Sequence, residues 1–175
     1  TLARADEGKM HFEMETVPLH LLVEAVAANA ESLALERGLH LCVETSEPVD
    51  VRGDEARLIQ VVMNLLDNAI RSTKAGGSVI LSITGTPKQA TLTVRDTGVG
   101  IQSEHLPHIF DRFYRIDSAR THNPDSNSGL GLAIVAWIVR AHQGIIDVES
   151  QFGHGTTFIV TLPRSLESAS TFSSM

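Results

Sequence analysis

Apolar residues recur at helical spacing between Pro18 and Arg37, at Leu19, Leu22, Val23, Val26, Ala27, Ala30, Leu33 and Ala34, which predicts an amphipathic helix. Pro18 suits its first turn, where a missing N–H costs nothing, and Gly38 suits its stop. Leu39 to Thr45 alternates weakly and is expected to be a strand, and Val49 to Arg52 is a second short extended piece. Asp54 stands where a carboxylate can cap a second helix running to about Thr73. Leu58, Val62, Leu65 and Ala69 mark the buried stripe of that helix, and Gly76-Gly77 lies beyond its end. Val79 to Thr84 and Ala90 to Arg95 read as two strands about a Thr-Pro-Lys-Gln turn, with one wet face in Leu92-Thr93-Val94-Arg95.

Residues 97 to 128 break this regularity, being rich in Gly, Ser, Asp, Asn and His with one short apolar patch at Ile109-Phe110. A loop of that length inside a compact domain is usually functional or mobile. Gly129 opens a third helix that is apolar nearly all round (Leu130, Leu132, Ile134, Val135, Trp137, Ile138) and is expected to be deeply buried. Ile145 to Glu149 and Thr157 to Leu162 complete the pattern as strands, and the Ser-rich Pro163 to Met175 is expected to be disordered. Helices do not alternate with every strand in this order, so a doubly wound parallel sheet is disfavoured. The expected architecture is an α/β (α+β) two-layer sandwich, a mixed sheet with helices over one face.

Composition narrows the function classes. The chain has 175 residues, 42% hydrophobic and 20% charged, enough for one core without disulfides or a structural metal. Acidic residues outnumber basic ones 21 to 14, for a formal charge of −7, the wrong sign for a general nucleic-acid or anionic-membrane binder. Cys42 is the only cysteine, which excludes an internal disulfide; in its apolar strand it is expected to be a buried, inert thiol. No window approaches the roughly 18 apolar residues of a membrane span, so a reducing, cytoplasmic setting is expected for this segment. His105 and His108 share a helical spacing without a Cys, Asp or Glu partner that would mark zinc ligands, and are expected to be solvated loop histidines.

Four constellations could carry chemistry. In Asn64-Leu-Leu-Asp-Asn68-Ala-Ile-Arg71, Asn64, Asn68 and Arg71 fall within about 40° of one stripe, opposite the apolar stripe. Amide oxygens can ligate a hard cation such as Mg²⁺, and a guanidinium can hold phosphate oxygens. A solvated helix face is the simpler reading of the stripe alone, but asparagine is a poor helix former and two in mid-helix carry a cost. In Asp96-Thr-Gly98-Val-Gly100, a carboxylate at a strand end can accept from an exocyclic amine such as that of adenine, while the same residues also make an ordinary turn. Ser128-Gly129-Leu130-Gly131-Leu132 puts a glycine pair at a helix mouth, where free N–H groups can cradle phosphate. Gly153-His-Gly155-Thr156-Thr157 adds a glycine turn whose hydroxyls could reach a phosphate, or a plain hairpin. No Gly-Lys-Ser/Thr follows a glycine loop, so this is no P-loop, and the dinucleotide fingerprint lacks its third glycine.

In this order, over residues 11 to 162, the pieces resemble the catalytic ATP-binding domain of two-component sensor histidine kinases, of the GHKL or Bergerat-fold ATPase superfamily. Asn64 to Arg71 is similar to the N box and Asp96 to Gly100 to the first glycine box. Phe110-Asp-Arg-Phe113-Tyr114-Arg115 is similar to the F box, Gly129-Leu130-Gly131-Leu132 to the second glycine box, and Gly153-His-Gly155-Thr156 to the last. The resemblance implies a mixed sheet backed by three helices, with ATP between the N-box helix and a flexible lid over about residues 101 to 128. It further implies that Asn68 with Asn64 holds Mg²⁺, that Asp96 binds the adenine amine with Ile101 on the ring, and that Tyr114 and Arg115 meet the phosphates. Arg71 keeps the positive charge of the N box, the Gly129 helix cradles the phosphates, and Phe110 and Phe113 dock the lid or a neighbouring helical domain. Asn64, Arg71 and Arg115 are the implied catalytic set; Gly98, Gly100, Phe113, Leu130, Gly131, Leu132, Thr156 and Thr157 complete the implied nucleotide contacts.

Two departures stand out: Arg71-Ser72 replaces the family's frequent Lys-Tyr, and Ser126-Asn127 replaces a glycine pair. No phosphoacceptor-histidine motif is present, so residues 1–10 read as the tail of an upstream dimerisation helix, and 163–175 as a C-terminal tail. The implied activity is transfer of the ATP γ-phosphate to a histidine on a separate dimerisation domain, with a response regulator downstream. The parent would be membrane-bound with this part in the cytoplasm, without nucleic-acid or direct membrane contact, and the isolated chain a monomer. A GHKL ATPase would hydrolyse ATP with a glutamate four residues before the magnesium-binding asparagine, where Asn64 stands. A nucleotide-gated interaction module from a degenerate kinase is the remaining alternative.

Overall fold

A computed structural model of the chain describes residues 11–45, 47–116 and 129–165. The expected upstream-helix tail at 1–10, the second part of the expected lid at 117–128 and the chain beyond residue 165 lie outside the described residues. Strand β1 (Glu15–Pro18) is followed by α1 (Leu19–Glu36), β2 (His40–Thr45), β3 (Asp50–Gly53) and α2 (Glu55–Ser72). Then come β4 (Ser78–Gly85), β5 (Gln89–Asp96), a 3₁₀ turn (Leu106–His108), α3 (Gly131–Ala141), β6 (Ile145–Gln151) and β7 (Gly155–Pro163).

Five strands form one sheet in the order β2-β4-β5-β7-β6, with β2 parallel to β4 and the other pairs antiparallel. A parallel pair needs a crossover, and here β3 and α2 supply it. Alternation sorts the two faces. Val79, Leu81 and Ile83 of β4, Leu92 and Val94 of β5, and Phe158 and Val160 of β7 are buried beneath the helices. Leu65, Leu66 and Ile70 of α2, with Val135 and Ile138 of α3, meet them from above. The mixed sheet with one helical layer is the expected architecture.

Local chemistry sets the helix ends. The Asp54 carboxylate accepts from Arg57 N at 3.1 Å and caps α2, relieving one of the unpaired first-turn amides. His142, buried after α3, joins the other two ends of this layer. Its Nε2 accepts from Asp54 N at 2.9 Å, and its Nδ1 faces the Ile138 carbonyl at 2.8 Å. A ring that accepts at Nε2 and meets a carbonyl at Nδ1 is neutral, with its proton on Nδ1. The start of α2 is thereby pinned to the end of α3.

Four expectations need correction. Strand β1 is absent from the hydrophobic pattern; it pairs antiparallel with β3 in a separate two-stranded ribbon, Val17 opposite Val51. Helix α3 starts at Gly131 rather than Gly129 and is not buried all round. Ala133, Val135, Ile138 and Val139 are buried, whereas Leu132, Ile134 and Trp137 are half-buried. The Trp137 side is covered by Phe12, ring centroids 5.4 Å apart. Cys42 is exposed, because Leu41 and Val43 point to the core and the residue between them must face the open side of the sheet. Finally, β7 runs to Pro163, and Arg164 donates its N–H to Lys88 O at 2.9 Å, so ordered chain passes Leu162, the expected limit.

Candidate functional site

Helix α2 turns its apolar stripe to the sheet and leaves Asn64, Asn68 and Ser72, spaced four residues apart, half-buried on another side. These three line a cleft of about 330 Å³ together with Val99, Gly100, Ile101, Ile109, Tyr114, Arg115, Ile116, Gly129, Gly131, Leu132 and Thr156. Asn64 Nδ2 is buried there without a hydrogen-bond partner among the described residues. An unpaired buried donor costs about 1–3 kcal/mol, a cost that a bound partner in the cleft would relieve.

The second such atom is a carboxylate oxygen. Asp96 ends β5 at 2% exposure. Its Oδ1 accepts from Gly98 N at 2.8 Å, while Oδ2 has no hydrogen-bond partner among the described residues. Burial raises the carboxyl pKa above its ordinary value, against the lowering influence of Gly98 N–H, the Thr156 amide and the Ser72 hydroxyl. Ser72 and Thr156 are cleft residues, so the carboxyl group they influence adjoins the cleft.

The loop after Asp96 is tied down on both sides. Val99 N donates to Ser72 O at 3.1 Å, Gly153 N to Val99 O at 2.7 Å, and Ile101 N to Ser150 Oγ at 2.8 Å. Ser150 Oγ in turn lies 2.9 Å from Thr156 Oγ1. Gly100 has φ +67°, and a Cβ there would stand 2.1 Å from Gln151 O. Left-handed backbone and a rigid carbonyl both demand glycine. Gly100→Ala is expected to destabilise the fold by roughly 2–3 kcal/mol, read as a lower urea midpoint with an unchanged slope; a midpoint equal to that of the wild type would contradict the packing.

Across the cleft, Gly131 opens α3 opposite Asn64, and a Cβ on Gly131 would lie 3.7 Å from Asn64 Oδ1. The first amides of α3 have no helical acceptors, which suits this mouth to an anion. Phe113 N donates to Gly129 O at 3.1 Å, closing the chain around the cleft. Arg115 provides a cation at the rim, and Val99, Ile101, Ile109 and Leu132 provide apolar wall.

Of the residues expected from the sequence, the structure gathers Asn64, Asn68, Gly100, Ile101, Tyr114, Arg115, Gly129, Gly131, Leu132 and Thr156 at this cleft, with Asp96 under its floor. Others stand elsewhere. Arg71 Nε donates to both Asp67 oxygens at 2.9 Å, so its head lies along the helix surface. Phe113 is 71% exposed. Its φ of +63° reverses the chain and turns the ring out. Thr157 lies on the open face of the sheet, opposite Arg95 and Glu149, since the period of two places only its neighbour Thr156 inward. Gly98 is buried against Ser72 O and Asp96, and Leu130 is the residue before α3. His105 is half-buried and bonded to Tyr114, not solvated. Sequence reasoning missed Val99, Ile109, Ile116 and Ser150. Ser72 was visible as the next turn after Asn68, whereas Ser150 reaches the site only through the register of β6 on β7.

A second hollow of about 590 Å³ lies between α1 and α2, walled by Leu21, Leu33, Ile59 and Met63. Neither of the two unpaired buried atoms adjoins it, so the first cleft is the site with built polar recognition.

Comparison with known proteins agrees with this fold. Residues 53–166 match the family model described as histidine kinase-, DNA gyrase B-, and HSP90-like ATPase. The sensor protein SrrB of Staphylococcus aureus is 37% identical over 163 residues, which is 93% of this chain and 28% of that protein. The chain therefore spans little more than a quarter of the length of the curated relatives it matches. Among solved structures, full-length ShkA in complex with AMPPNP superposes with a TM-score of 0.80 at 28% identity, covering 91% of this chain and 33% of that one. Histidine kinase ThkA in complex with the response regulator TrrA superposes with a TM-score of 0.75 at 25% identity, covering 94% and 46%.

Proposed function

This chain belongs to the histidine kinase-, DNA gyrase B-, and HSP90-like ATPase family, and from that premise we propose that it binds MgATP and transfers the γ-phosphate to a histidine on a separate dimerisation domain. The observation that carries the reading is the buried carboxylate oxygen Asp96 Oδ2, without a hydrogen-bond partner among the described residues, on a side chain that adjoins the cleft residues Ser72 and Thr156. An acceptor-only oxygen needs a donor from the ligand, and the exocyclic amine of adenine is such a donor. Ile101 and Val99 cover the base, while Tyr114, Arg115 and the mouth of α3 receive the phosphates. Asn64 and Asn68 offer amide oxygens to Mg²⁺, which when bound would neutralise phosphate charge and orient the γ-phosphoryl group. The fit is chemical: neutral oxygen ligands suit a hard cation whose remaining charge is met by the triphosphate.

Transfer is favoured over hydrolysis by what lines the cleft. No Glu or His is among the described residues that line the cleft, the Asp96 carboxylate is given to the base, and a carboxamide at Asn64 cannot take a proton from water. An acceptor imidazole needs little such help. Its nitrogen attacks the γ-phosphorus as the bond to the β-phosphate oxygen breaks, giving phosphohistidine and ADP, and the chain contributes positioning and charge neutralisation. The ThkA–TrrA complex supports a response regulator as the next partner, and the relative named a sensor protein supports a membrane-linked parent. No helix of the described residues is long and apolar enough to cross a membrane.

The test combines this chain with the dimerisation domain of its own parent and γ-labelled ATP. Histidine labelling is expected, and Arg115→Ala should slow the transfer roughly 10- to 100-fold while weakening ATP binding less than about fivefold. Equal effects would reduce Arg115 to a ground-state contact. Steady ATP hydrolysis without acceptor would replace the kinase reading with an ATPase, and ATP binding without either reaction would leave an interaction module.

A further inference from the structure

Tyr114 lines the nucleotide cleft, but its hydroxyl is engaged behind it. The oxygen lies 2.8 Å from His105 Nδ1. The side chain of His105 is only 20% exposed, and its Nε2 faces Glu104 Oε1 at 3.6 Å. The hydroxyl donates to Nδ1 or accepts from it according to the tautomer, and in either sense one hydrogen bond holds the tyrosine oxygen. His108 adds a ring 5.4 Å from that of Tyr114, tilted by 37°, and is itself held by Asp111 Oδ2 at 3.0 Å from Nδ1.

The frame that carries His105 is stiff although it has almost no regular structure. His105 N donates to Gln102 O at 3.0 Å and His108 N to His105 O at 2.9 Å. Ile109 is buried in the core, and Phe110 meets Phe158 edge-on at 6.4 Å. Beyond it the chain turns through Phe113 at φ +63°, a backbone conformation that a bulky residue adopts only under constraint. Backbone bonds from Phe113 N to Gly129 O and from Tyr114 N to Asp111 O hold the main chain. The bond to His105 fixes the direction of the tyrosine ring.

We propose that His105 is a positioning residue of the nucleotide site, acting through Tyr114: it anchors the hydroxyl so that the ring stands as a wall of the cleft and Arg115 is presented at the rim. This rests on the nucleotide reading above. His105 touches no ligand, and its whole effect passes through one hydrogen bond. Removing either partner should therefore have the same consequence, and removing both should add nothing.

Calorimetric titration of the chain with MgATP tests it. His105→Ala and Tyr114→Phe are each expected to weaken binding about fivefold, the effect of one hydrogen bond. The double variant should also lose about fivefold, not the roughly 25-fold of independent losses. His105→Asn, whose amide oxygen can accept from the hydroxyl, should restore at least half of the affinity. Tyr114 is the only tyrosine, so 3-fluorotyrosine reports it with a single ¹⁹F resonance, which should move in His105→Ala and return in His105→Asn. Should His105→Ala not fold, Tyr114→Phe and His105→Asn give the same comparison. Affinity within twofold of the wild type in either single variant, or multiplied losses in the double, overturns the proposal. Wild-type protein that binds no adenine nucleotide overturns the nucleotide reading itself, and the positioning role with it.

Discussion

Asp96→Asn is expected to weaken ATP binding about 100-fold or more while leaving the chain folded. The hydrogen bond from Gly98 N to Oδ1 decides the orientation of the new side chain, because only the amide oxygen can accept there. The amide nitrogen then occupies the place of Oδ2 and presents N–H groups to the adenine amine, donor against donor. A lost charge-assisted bond at about 1.5–3 kcal/mol, together with an unpaired buried donor at about 1–3 kcal/mol, accounts for the factor. Calorimetry measures it; binding within tenfold of the wild type would show that the carboxylate does not read the base.

The same substitution carries a pH signature. Burial raises the Asp96 pKa above its unfolded value of 3.8, so the folded chain holds this proton more tightly than the unfolded one. Its contribution to stability is complete below the unfolded pKa and is lost as pH rises through the folded value. The asparagine variant has no such proton to lose. At neutral pH it should melt at the same or a higher temperature than the wild type, with the advantage vanishing toward pH 3. A lower melting temperature at neutral pH would mean that the ionised carboxylate stabilises the fold, contrary to its unpaired Oδ2.

Asn68→Ala has the second large effect. Wild-type chain should bind ATP more tightly with Mg²⁺ than without, and the variant should lose most of that increment, with phosphoryl transfer falling roughly 100-fold. Helix propensity separates this loss from misfolding. Alanine is favoured over asparagine by up to about 0.7 kcal/mol in a helix interior, and Asn68 is half-buried in α2 with no hydrogen-bond partner among the described residues whose loss would offset the gain. The variant should therefore be as stable as the wild type or slightly more so. Paired titrations with and without Mg²⁺, beside a melting curve, decide the matter; an undiminished magnesium increment would remove Asn68 from the metal site.

Much of the architecture is legible in the sequence because its signals are periodic and local. The stripe of α2, its Asp54 cap and the alternation of β4 and β5 predict those elements to within a residue or two. What escapes is tertiary. Four residues of β1 are too few to show a period, and they pair with β3 across the length of α1. Cys42 looks buried in an apolar segment until the sheet has an inside and an outside. Helix α3 looks buried all round because the sequence does not reveal that one of its sides walls a cleft, through Leu132.

The site follows the same division. Asn64, Asn68 and Ser72 share a stripe that the 3.6-residue period already implies. Arg71 belongs to that polar side as well, but the i,i+4 ion pair with Asp67 draws its head away, and the acidic residue was there to be read four positions earlier. Thr156 and Thr157 are adjacent in sequence and on opposite faces of the sheet, so one hydroxyl adjoins the cleft and the other does not. His105 shows nothing in the sequence beyond a polar loop; its bond to Tyr114 exists only because the chain reverses at Phe113.

The most direct test is a crystal structure of the chain with Mg²⁺ and a non-hydrolysable ATP analogue. The expected result has the adenine amine about 2.8–3.1 Å from Asp96 Oδ2 and the Asn68 amide oxygen on the metal. A nucleotide seated elsewhere, or a base whose amine turns away from a still-unpaired Oδ2, would contradict the account.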